Sequence, residues 1–227
     1  MMSENVDNIK LIGESIFPDK LPLFLELNYL GSKEQEYTTW LYCNLFYLSE
    51  YNNKIVKKEF LMTLFELIRS VKDEKVLESC LHIIFNIIHD GDSNLISLFL
   101  DNPTLDIVNL FSGILMSEKE KGKQVIIEFL RAFYALVRKI KSKKVEKLKK
   151  LKKYLLTLIK TCQNNEILSL TILCLYEFFY YLPEEGNLAK TGMIKILANL
   201  SIGFNNPKST KKIIKILAYS VNHIEAE

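Results

Sequence analysis

Of the 227 residues, 48% are apolar and 25% charged, with a formal net charge of only +3; this is the balance of a soluble globular protein, large enough for one sizeable domain or two small ones. Eight glycines and five prolines are few for this length, so helix is favoured throughout. The longest apolar run, ILSLTILCLYEFFYYL at 167–182, is shorter than the roughly 20 residues of a bilayer span and carries Glu177, which excludes a membrane helix there.

In chain order, the opening MMSENVD lacks the charged and apolar regions of a secretory leader. Cys43, Cys80, Cys162 and Cys174 form no Cys-x-x-Cys pair, so reduced, buried thiols are expected, in the cytoplasm with the nucleus as a second location. Apolar residues then recur every three or four positions over 20–30, 57–70, 104–116, 145–160 and 192–202, each predicting a helix. Each of these is followed by a second, more apolar helix: TTWLYCNLFYLS at 38–49, CLHIIFNII, FLRAFYALV, TILCLYEFF and KILAYSVNH. Aligned on Leu45, Ile87, Leu136, Phe178 and Val221, these repeat at intervals of 42, 49, 42 and 43 residues.

The punctuation fits the repeat. Gly31, Gly122 and Gly203 fall between the paired helices of repeats one, three and five, and Gly91 and Gly186 follow the long helices of two and four. Pro103 and Pro207 sit at helix starts, where a missing N–H does no harm. A period near 42 belongs to helical armadillo and HEAT arrays. Residues 94–100 and 188–191 would be the short first helices of such units. The expected fold is therefore all-α, an armadillo- or HEAT-like right-handed solenoid of about five repeats, at approximately 18–50, 51–91, 92–140, 141–185 and 186–227. These form one domain over 1–227, because stacked pairs bury a continuous core. A plain helical bundle is the alternative.

DEKVLESCLHIIFNIIHDGDSNLISLFLDNPTLDIVNLF at 73–111 resembles a divergent repeat of importin-α, and TTWLYCNLFYLSE resembles that family's long helix with its Trp-x-x-x-Asn pair. FLRAFYALV resembles a later helix in which Arg replaces the Trp. The resemblance implies a concave groove in which Asn amides hold a peptide backbone and Trp rings sandwich lysine stems. Only Trp40 with Asn44 matches that pattern fully; His82 stands before Asn86, Arg131 before Ala135, Leu173 before Glu177 and Ile216 before Ser220.

Continuing the row three residues on adds Tyr47, His89, Arg138, Tyr180 and His223. All three histidines and two of the three arginines of the chain thus fall in it. Aromatic and Arg residues are what binding hot spots favour, so Trp40, Asn44, Tyr47, His82, Asn86, His89, Arg131, Arg138, Glu177, Tyr180, Ser220 and His223 are the candidate partner-binding groove. Arg131 and Arg138 in mid-row favour an acidic or mixed-charge peptide or protein over a basic one.

RKIKSKKVEKLKKLKK, at 138–153, carries a net +9, so the rest of the chain sums to −6. Lys141, Lys143, Lys144, Lys147, Lys149, Lys150, Lys152 and Lys153 form a basic surface beside an apolar stripe at Val145, Leu148, Leu151 and Leu155. A solvated outer face, an anionic membrane surface and an acidic partner are the readings; nucleic acid is disfavoured because no aromatic interrupts the run. His82 and His89 lie about 10.5 Å apart along a helix, too far for one metal ion. No nucleophile motif or phosphate-cradling glycine loop is present. The expected protein is thus non-catalytic, without cofactor, and binds a peptide or protein, a nuclear-transport adaptor being the sharpest version. An Hsp70 nucleotide-exchange cofactor of armadillo type, which ALVRK at 135–139 faintly resembles, and a peripheral membrane scaffold are the alternatives. Stacking of copies through an uncapped end leaves the oligomeric state open.

Overall fold

A computed structural model of the protein describes residues 11, 32–46, 56–101, 105–116, 122–182, 188, 192–203 and 206–222. The expected helix at 20–30 lies outside them, as do Gly31, Tyr47, Pro103, Gly186, most of 188–191 and His223. Among the described residues there are ten α-helices and no strand: α1 Ser32–Phe46, α2 Lys58–Ser70, α3 Glu74–Asp90, α4 Ser93–Asp101, α5 Ile107–Met116, α6 Lys123–Val145, α7 Lys149–Thr161, α8 Asn165–Tyr181, α9 Met193–Gly203 and α10 Pro207–Asn222. The five long helices of the repeat are α1, α3, α6, α8 and α10. The helix α4 is the short first helix expected at 94–100.

Five of the helix starts are each marked by a single Asp or Asn. Asp73 Oδ1 accepts the N–H groups of Lys75 (2.9 Å) and Val76 (3.3 Å). Asn164 does the same for Glu166 and Ile167, Asp92 for Leu95, Asp106 for Asn109, and Asn206 for Ser209. Each satisfies a backbone donor that the first turn leaves open, worth about 1 kcal/mol. Helix α6 is held differently: Gly122 N–H donates to Glu74 Oε1 across 2.9 Å. A Cβ at this position would meet the same carboxylate, which would have to swing aside.

The chain divides into two compact units, Met1–Ala132 and Phe133–Glu227. In the first, α1 lies along α3, and α2 packs on α3 and α5. In the second, α8 lies along α10 and α7 against α9, while α7–α8 and α9–α10 close each pair. Long helices thus neighbour long helices and second helices neighbour second helices, the layering that stacked repeats produce. Leu45, Ile87, Leu136 and Phe178, on which the repeats align, are all fully buried. Tyr42, Phe46 and Phe60 cluster at ring separations of 5.0–5.7 Å in the first unit, where Phe111 also meets Phe129 edge-on at 5.0 Å.

One boundary differs from the expectation. The third long helix runs on to Val145, a 3₁₀ turn occupies Glu146–Leu148, and α7 begins only at Lys149. The lysine run has neither Gly nor Pro to stop α6, and lysine is a good helix former. Packing sets the corner instead, with Leu148 fully buried.

Candidate interaction surface

In Met1–Ala132 the candidate row begins with Trp40, the chain's only Trp, 62% exposed. Asn44, one turn on, donates its amide to the Trp40 carbonyl at 2.8 Å, an attachment to its own helix that fixes the amide's direction. Asn86 behaves otherwise. It is buried, and its Nδ2 reaches across to the Cys43 carbonyl at 3.2 Å, tying α3 to α1. Asn86 is therefore a packing residue rather than a ligand contact, because a buried amide must satisfy itself within the fold.

His82 and Arg131 converge on a residue that the candidate row leaves out. Glu128 is 2% exposed, and its carboxylate accepts from His82 Nδ1 at 2.9 Å, from Arg131 at 2.6 Å and from Gln124 Nε2 at 3.4 Å. A buried carboxylate persists only with such partners. Arg131 is thus already neutralised by its own helix, and its expected pull on an acidic ligand is largely cancelled. In the same surroundings burial, followed by Glu128 and Glu78, pushes the Cys43 thiol up to about 12, and burial followed by Glu128 raises Glu78. Exposed His89 bonds its neighbour Asp90 at 2.8 Å, and Phe85 lies between the two histidine rings, 5.9 Å from His82 and 5.4 Å from His89.

In Phe133–Glu227 the row is built from cations lying on tyrosines. The Arg138 guanidinium sits 5.6 Å over the Tyr134 ring. Lys212 Nζ is 3.4 Å from the centre of the Tyr176 ring and 3.8 Å from Glu177. Lys215 Nζ lies 5.4 Å from the same ring and donates to its hydroxyl at 3.5 Å. Tyr180, 54% exposed, and Tyr219 flank Tyr176 at 6.3 and 6.4 Å. Burial raises the Tyr134 phenol, and Glu177 raises it further, which places Glu177 near both α6 and α10. Such contacts bring about 0.5–1 kcal/mol each at exposed sites. Ser220 is a correction: it is fully buried, with its hydroxyl on the Ile216 carbonyl at 3.0 Å, because back-bonding satisfies a hydroxyl in a packed seam.

Tyr134, Tyr176 and Tyr219 each precede by one residue the positions taken from the Asn pattern, as Phe85 does on α3. The tyrosines keep the repeat spacing, 42 and 43 residues, so the signal was present one residue, or about 100°, away. On α7, Lys147, Lys150 and Lys153 are exposed, Lys149 is half-buried, and Lys152 lies 5.6 Å over the Phe179 ring. The side chains of Lys141, Lys143 and Lys144 lie outside the described residues. Leu148, Leu151 and Leu155 are buried, so the apolar stripe is covered by packing. Among the described residues no group of three His, Cys, Asp or Glu could hold a metal ion, and no helix is long and apolar enough to cross a membrane.

No family model matches the chain, and no curated protein matches it. Solved structures do. A computationally designed armadillo repeat protein for modular peptide recognition is similar with a TM-score of 0.76 at 16% identity, over 94% of this chain and 86% of its own. A designed armadillo repeat protein in complex with the peptide (KR)4 gives 0.71 at 16% identity over the same shares. An engineered protein from a structural genomics programme gives 0.72 at 16% identity over 96% and 84%. The fold is thus that of an armadillo-repeat solenoid.

Proposed function

We propose that the chain is a non-catalytic interaction module that binds an extended segment of a partner protein on the exposed faces of its long helices. In Phe133–Glu227 the segment's acidic groups would be held by Arg138, Lys212 and Lys215. The observation that carries this reading is the set of cations stacked on Tyr134 and Tyr176. A ligand lysine on those rings would meet like charge, whereas a carboxylate meets preoriented donors. The likeness to a designed protein that holds (KR)4 supports a linear ligand, and the stacked cations argue for a different charge on it. The nuclear-transport adaptor implied by the importin-α resemblance fits only in a form that reads an acid-bearing or mixed segment.

Immobilised peptides of acidic, mixed and basic composition, probed with the full chain, test this. Acid-bearing peptides should retain the chain, less so as salt rises. Joint substitution Arg138→Glu and Lys212→Glu should weaken retention by roughly tenfold or more. Preferential retention on basic peptides, unchanged by that pair, overturns the reading.

A further inference from the structure

Helix α10 carries three stripes. Ser209, Ile213, Ile216 and Ser220 are buried, and Lys212, Lys215 and Tyr219 gather about Tyr176. On the remaining stripe Pro207, Thr210, Lys211 and Ile214 line an open groove of about 670 Å³, joined by Ser201, Asn206 and Lys215. Ile214 is 57% exposed, and Ile202, near the end of α9, is 87% exposed. Apart from Lys215, which also reaches Tyr176, nothing in the row described above accounts for this surface.

The polar groups of the groove are turned inward. Asn206 Oδ1 accepts the Ser209 N–H at 3.2 Å, the Ser201 hydroxyl donates to the Ala198 carbonyl at 2.7 Å, and the Thr210 hydroxyl to the Asn206 carbonyl at 3.0 Å. What is left to offer is apolar surface edged with ammonium groups. Helices α9 and α10 hold Lys195, Lys208, Lys211, Lys212 and Lys215 and not one carboxylate.

We propose that this groove seats an amphipathic helix of a partner protein, its apolar edge on Pro207, Thr210 and Ile214 and its acidic flank facing Lys211. Those residues span two turns of α10, about 10.5 Å, the reach of apolar anchors at i, i+3 or i+4, and i+7 on an incoming helix. A helix satisfies its own backbone and so needs from the groove only apolar surface and charge. Two copies of the chain meeting through this face would set lysines against lysines. A bilayer surface is flat and does not enter a groove.

The test uses the full chain and three fluorescent peptides: an acidic amphipathic helix of Leu and Glu, the same helix with Lys for Glu, and a scramble of the acidic one that breaks its apolar edge. Polarisation should show the acidic helix bound, and the other two weaker by roughly tenfold. Ile214→Asp, on an exposed side chain, should abolish binding while circular dichroism stays unchanged. Lys211→Glu should narrow the preference between acidic and basic helices. Arg138→Glu should leave this binding intact, which separates it from the row. Equal binding of the scramble, indifference to Ile214→Asp, or no binding of the acidic helix overturns the proposal. So does sedimentation as a dimer that Ile214→Asp dissociates, or capture on phosphatidylserine vesicles that Ile214→Asp abolishes.

Discussion

The two units use charge in opposite directions. In Met1–Ala132 a carboxylate is buried at Glu128, and His82, Arg131 and Gln124 turn inward to meet it. In Phe133–Glu227 Arg138, Lys212 and Lys215 lie on tyrosine faces, with Glu177 beside Lys212. One arrangement locks neighbouring helices together; the other holds cations in fixed positions. The same repeat, read on its long helices, therefore yields a structural hub in one unit and the proposed recognition surface in the other. Glu128 on α6 has Leu170 at the equivalent position of α8, 42 residues on, so the buried acid is not repeated in the second unit.

The sharpest way to break that comparison is Glu128→Ala. It leaves His82 and Arg131 without their shared acceptor and opens a gap, and should cost about 2 kcal/mol or more in urea unfolding. A loss within experimental error would mean that the hub is ornamental. Next is pH. The Cys43 thiol beside the hub stays protonated in the folded chain up to about 12, against an ordinary value of 9.0. The folded state holds the extra proton across that window, so stability falls as pH rises through it. Between about pH 8 and pH 10 the Cys43→Ala variant should lose about 1 kcal/mol less than the parent; parallel losses would remove Cys43 from the account. The smallest effect is expected from Lys212→Met, which takes the cation off Tyr176. It should lower stability by only about 0.5 kcal/mol while weakening retention on acidic peptides. A loss as large as that of Glu128→Ala would erase the contrast between the units.

Much of the fold was legible because burial imposes a period. Leu45, Ile87, Leu136 and Phe178 are apolar for one reason, the seam between stacked helices, and each is fully buried. The short helix α4 was legible for the same reason. The corner at Glu146–Leu148 was not, since no breaker residue marks it and the packing of Leu148 decides it. The accessibility of the candidate row was half legible. Trp40, Arg138 and Tyr180 fall on exposed positions and Glu177 is half-buried, but the Asn pattern led to Asn86 and Ser220, which lie in the seam. On α3 the accessible stripe passes through His82, Phe85 and His89, and on α6 through Arg131, Tyr134 and Arg138. Periodicity locates a stripe to within a residue, and one residue is about 100° of helix. Glu128 was hidden for another reason: a single acid inside an apolar run reads as surface until its partners are seen in space.

Trp40 carries a practical consequence. As the sole indole, and one already bathed in solvent at 62% exposure, its emission should change little when the chain melts. A partner that covers α1 would dry the ring and shift its fluorescence to the blue. The molecule thus contains its own optical probe, silent to folding and responsive to occupancy of a single face.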